Sequence, residues 1–227
     1  MSIWFIMIAV MLVSMVIQNK LNSRFHKYSR IPNSARMTGA DVARKMLRDH
    51  GIYDVEVVSV RGMLTDHYNP VTKKVNLSEG VYNQTSIAAA AVAAHECGHA
   101  VQHAVGYAPL KFRSAIVPVV SFCSNAVSWV LLLGVLMISL GAGNTFLWLG
   151  IGLFAMTTLF SVVTLPVEIN ASARAVRWLD ASGIADAQTK PMAVDALKWA
   201  AYTYVIAAIG SIATLLYYVS IAAGSDD

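Results

Sequence analysis

Four long stretches of the chain carry no Asp, Glu, Lys, Arg or His: residues 1–17, 115–140, 145–165 and 200–223. Each approaches or exceeds the roughly 17 to 25 residues that a helix needs to cross a bilayer. The pattern therefore predicts about four transmembrane helices. Between the first and second lies a polar segment of about 95 residues, long enough for a small folded unit but not for a large independent core.

Within that segment the apolar positions recur on a shorter scale. Thr38 and Asp41 form a capping-box-like start, and residues 41–50 carry Val42, Met46 and Leu47 at helical spacing, with Gly51 as the stop. Residues 55–60, with Val55, Val57 and Val60, read as a strand. Arg61 and Gly62 signal a turn, after which 63–68 and 74–77 read as two short strands joined through 69–72, a hairpin beside a helix. Ser86 then precedes an alanine-rich stretch, 87–107, of high helix propensity. Beyond the third span, Pro166 is expected to open a new helix through Leu179 that Gly183 ends. Pro191 begins a last helix that runs into the fourth span.

Composition agrees with a bilayer setting: 56% of the chain is hydrophobic and only 13% charged, against about 25% charged in a soluble domain. The expected fold is mainly α, a single integral-membrane domain over residues 1–227. Its transmembrane helices are 1–17, 115–140, 145–165 and 200–223, and residues 18–114 and 166–199 form a small cytoplasmic α+β unit. No Lys or Arg precedes the first stretch, and Gln18, Asn19 and Lys20 follow it without a small-residue cleavage site, so it reads as a retained anchor. All 17 Lys and Arg fall between Lys20 and Arg113 or between Arg174 and Lys198. The positive-inside bias then places both polar segments in the cytoplasm and both termini outside. The net charge of +4 describes that one face, where anionic lipid is the natural partner. Nucleic acid is not, for no basic, aromatic-rich reading surface is present. Cys97 lies in a cytoplasmic segment and Cys123 within a span, which argues against a disulfide between them.

The chemistry concentrates at His95-Glu96-Cys97-Gly98-His99. Residues four apart on a helix project from nearly the same face about 6 Å apart along the axis, so both imidazoles can reach one metal. Zinc accepts neutral His nitrogens, and a catalytic site keeps one position open for water. Glu96, one residue on, is placed to take a proton from that water. His103 extends the series but sits about 12 Å along the axis from His95, too far to share one tetrahedral ion. Cys97 points about 100° away from either neighbour on the helix, so packing is its better reading. Glu168 is the only carboxylate between Glu96 and Asp180 and follows Pro166 where the third span ends. A carboxylate so near hydrocarbon is a functional candidate, here as third ligand.

With these residues the chain resembles the YugP-like family of neutral zinc metallopeptidases of bacterial membranes. The likeness rests on DHYNP at 66–70, LSEGVY at 77–82, AAHECGHAVQH at 93–103, GYAPL at 106–110 and LPVEINASARA at 165–175. More remotely it is similar to membrane gluzincins of the HtpX and CAAX-protease type. The resemblance implies one zinc ion held by His95, His99 and Glu168, with Glu96 as general base, in a bacterial plasma (inner) membrane. There are departures. Remote gluzincins often carry Asp four residues after the ligand Glu, where this chain has Ser172, and Asn170 stands where closer relatives tend to have Asp.

The expected activity is a cytoplasm-facing zinc endopeptidase acting on peptides or membrane proteins. The alternative is a non-catalytic membrane scaffold or metal-binding subunit that keeps the fold. Candidates for orienting the ligands or stabilising an oxyanion are His67, Tyr68, His103, Asn170, Ser172 and Arg174. The strand Lys74, Val75, Asn76 and Leu77 leads into the motif helix and is expected to bind substrate by edge pairing.

Overall fold

A computed structural model describes residues 3–224. Among these, four helices are long and apolar enough to cross a membrane: α1 (Ile3–Tyr28), α5 (Ala108–Ser139), α6 (Thr145–Ala181) and α7 (Lys190–Gly224). Every one outlasts its charge-free stretch. At 1.5 Å per residue the 37 residues of α6 reach about 55 Å, well beyond the roughly 30 Å of bilayer hydrocarbon. The break expected at Pro166 is absent. Pro166 lies inside α6, as Pro118 lies inside α5; apolar spanning helices tolerate the lost N–H. Glu168 is therefore in helical phase with the third apolar stretch rather than in the first turn of a separate helix.

The chain divides into two compact units, one comprising Val16–Leu110 and Pro166–Tyr202, the other the remaining segments. In the latter, Val127, Leu131, Leu147 and Ile151 form the centre of an apolar cluster. Gly134 lets α5 approach α6 closely: a Cβ added there would stand 2.6 Å from the Leu147 backbone.

The former unit holds the remaining elements: α2 (Gly39–Asp49), β1 (Glu56–Val60), β2 (His67–Asn69), β3 (Lys74–Ser78), α3 (Glu79–Tyr82) and α4 (Ile87–Ala104). Helix α2 starts as its sequence suggests. The Thr38 hydroxyl oxygen accepts the Asp41 N–H at 3.1 Å, while Val42, Ala43, Met46 and Leu47 are buried against α4. Gly51, at φ +70°, terminates it. Alanines fill the faces of α4, with Ala88 through Ala91, Ala93 and Ala94 all buried; small side chains let neighbours approach from several directions.

The sheet corrects two expectations. Its order is β1-β3-β2, with β3 parallel to β1 and antiparallel to β2. Lys74, Val75 and Asn76 have strand partners on both sides, and Val75 and Leu77 are fully buried. The strand Lys74, Val75, Asn76 and Leu77 is thus the centre of the sheet, with no free edge for a substrate. The second strand is also shorter than residues 63–68: Gly62 and Leu64 adopt positive φ, and Asp66 takes over the ladder's role. Its carboxylate accepts the Ser78 N–H at 2.7 Å and the Ser78 hydroxyl at 3.0 Å, while its burial raises its pKa.

Candidate metal centre

Helix α4 carries His95, Glu96 and His99 along its length, and α6 crosses it at Gly98. A Cβ at Gly98 would lie 2.7 Å from the Ala171 carbonyl oxygen, so only glycine permits this approach. Val167, Ala171 and Ala175 recur every fourth residue and are fully buried, which turns the neighbouring face of α6, Glu168 and Ser172, toward the motif.

That crossing brings three donors together. Glu168 Oε2 lies 3.3 Å from His95 Nε2 and 3.5 Å from His99 Nε2. The ligand atoms of these residues lie within 4.8 Å of one another, and they form the metal-capable cluster found among the described residues. A tetrahedral ion with bonds near 2.0 to 2.1 Å has ligand atoms about 3.3 to 3.4 Å apart. Both histidine-to-carboxylate distances fit that edge. The donor set of two imidazoles and one carboxylate is also that of a catalytic zinc site. Exposure of the His95 and His99 side chains is 15% and 12%, against 4% for Glu168, so the histidine side remains open to water.

The imidazoles are held from behind. Gln102 is fully buried, and its Nε2 donates to Val167 O at 2.8 Å and to Asn170 Oδ1 at 3.1 Å. A carbonyl can only accept, so the amide orientation is fixed and Oε1 faces His99 Nδ1 at 3.1 Å. Nδ1 must then carry the proton, which leaves Nε2 of neutral His99 with its lone pair toward Glu168. Burial alone would lower the His99 pKa, but the bond to Glu168 and the Glu96 charge outweigh it and raise it. Nε2 is the atom that holds either a proton or a metal. His95 has the matching arrangement, with Ser172 Oγ 3.1 Å from Nδ1.

The other expected residues separate. Glu96 is 9% exposed, and one of its oxygens accepts the Tyr68 N–H from β2 at 3.1 Å. The Tyr68 hydroxyl meets His103 Nδ1 at 3.0 Å, about one helical turn beyond His99. Asn170 accepts from both Gln102 and the Arg174 Nε, the latter at 2.8 Å; Arg174 braces the brace. His67 is exposed, its Nδ1 2.8 Å from Thr65 O, and it is not a member of the metal-capable cluster. Cys97 turns to α2, its thiol donating to Ala43 O, and burial holds its pKa far above the usual thiol value. Gln102 is the residue that sequence reading missed. Its signal was a long polar side chain three residues beyond His99 on the motif helix.

The model of a family described as "Putative neutral zinc metallopeptidase" matches residues 3–223. A protein of Bacillus subtilis (strain 168) named "Putative membrane protease YugP" is 43% identical over 217 residues, which cover 96% of this chain and 95% of that one. No solved structure matches the chain.

Proposed function

The chain belongs to the "Putative neutral zinc metallopeptidase" family, and from that membership we propose that it is a membrane-bound zinc endopeptidase hydrolysing peptide bonds at the cytoplasmic membrane face. One observation carries the reading: the Gln102 amide, locked by Val167 O, commits the His99 lone pair to the same point as His95 Nε2 and Glu168 Oε2. Zinc held there supplies Lewis acidity, polarising a carbonyl and making water nucleophilic near neutral pH.

The protein's own groups do the remainder. His95, His99 and Glu168 would hold the ion, and Ser172 and Gln102 would orient the two rings. Glu96 would take a proton from the attacking water as its oxygen bonds to the carbonyl carbon, and would deliver that proton to the amine as the C–N bond breaks. The Tyr68 N–H fixes one carboxylate oxygen of Glu96 and so aims the group. Metal binding alone does not call for a carboxylate at Glu96, and its presence favours an enzyme over a scaffold or metal-binding subunit.

Metal analysis with a cleavage assay on the detergent-purified chain tests this. Glu96→Gln should retain one zinc per chain and lose proteolysis, whereas Glu168→Ala should lose both. Equal turnover by Glu96→Gln and the unsubstituted chain would sink the mechanism. Full zinc occupancy in Glu168→Ala would remove the third ligand.

A further inference from the structure

A recess of about 160 Å³ opens beside α4, walled by Ile52, Val55, Ala100 and Ala104 and rimmed by Asp54, Lys73, Tyr68 and His103. Ala100, His103 and Ala104 follow Glu96 on one helical face, about 6 to 12 Å along the axis. Tyr68 joins the two places, since its N–H meets the Glu96 carboxylate while its side chain lines the recess.

The rim is polar but already satisfied. Lys73 pairs with Asp54 at 2.5 Å, and the Tyr68 hydroxyl with His103 at 3.0 Å. What the recess offers a visitor is therefore its apolar wall, where Ile52 and Ala100 are buried. A cavity of about 150 Å³ accepts benzene, so a phenyl or isobutyl group fits. An extended peptide advances about 3.3 Å per residue, and 6 to 12 Å is thus roughly two to four residues.

We propose that this recess is a substrate subsite that takes an aromatic or branched aliphatic side chain about two to four positions from the scissile bond. It rests on the peptidase reading above and adds the substrate's chemistry to it.

Binding separates the two ideas. The full zinc-loaded Glu96→Gln chain in detergent is titrated with fluorescein-labelled peptides that differ at one position, Phe, Leu, Ala or Lys, the position being walked along the peptide. At one position Phe or Leu should bind about tenfold or more tightly than Ala or Lys. Ala104→Phe, which fills the recess from the exposed end of its wall, should erase that preference with zinc content unchanged, and Ala104→Ser should keep it. Val55→Phe fills the opposite wall and repeats the test should Ala104→Phe fail to fold. Equal affinities at every position, or a preference that survives both fillings, overturn the subsite. Selective binding with no cleavage by the unsubstituted chain would instead uphold the subsite and overturn the peptidase reading.

Discussion

Gln102 uses the two ends of its amide for different tasks, donating to α6 and accepting from His99. Leucine would fill similar space but leave the His99 Nδ1–H and the Val167 carbonyl with one fewer partner each. Losing such an outer partner typically lowers metal affinity by about 10- to 100-fold. Gln102→Leu should accordingly weaken zinc binding by that factor, read by competition with a chromophoric chelator. An unchanged affinity would show that the ring needs no orienting. The pairing of His95 and His99 was legible in the sequence because helical periodicity alone aligns residues four apart, and Glu96 was a candidate through the motif they frame. Gln102 was not, since a glutamine on a helix ordinarily faces solvent, and only the packing of α6 over this face makes it internal. Ser172 was legible only as a departure from a pattern; its 3.1 Å contact with His95 Nδ1 gives it a use.

At the scale of elements, the centre depends on how closely α4 and α6 cross. Gly98→Ala sets a methyl 2.7 Å from the Ala171 carbonyl, backbone against backbone, so one helix must shift. Overpacking of this kind costs about 1 to 3 kcal/mol, and the shift moves Glu168 from both histidines at once. Lower melting temperature together with zinc loss is the expected result, from thermal denaturation and metal analysis of the same preparation. Gly80→Ala, whose added Cβ meets nothing within 4 Å, is the matched control and should change neither. A Gly98→Ala chain with normal zinc would mean that the crossing is softer than its geometry. Strands 56–60 and 74–78 were legible as strands, but not their pairing. Parallel neighbours need a long connection, and nothing local to Lys74 or Val75 announces that β1 will lie alongside. The edge reading of β3 failed for that reason.

For the whole molecule, the four apolar stretches were legible from charge alone and, over the described residues, all became helices. Their full extents were not legible, because charge marks where hydrocarbon ends and not where backbone hydrogen bonding stops. Side of membrane is a separate matter that the basic residues address. With all 17 in two segments, a reporter fused after Gly224 should read as outside the cytoplasm and one inserted within residues 20–38 as inside. A cytoplasmic signal from the C-terminal fusion would overturn the four-span orientation.

The crossing of α4 and α6 also sets a clock. Ser172 is made 77 residues after His95, and at about 5 to 20 residues per second the ribosome needs roughly four to fifteen seconds to add the second half of the centre. During that interval the nascent chain carries His95 and His99 without the Glu168 carboxylate that lies 3.3 and 3.5 Å from them in the finished fold. A chain ending at Leu165 should consequently retain no zinc through gel filtration, and one that did would show the histidines sufficient before α6 is finished.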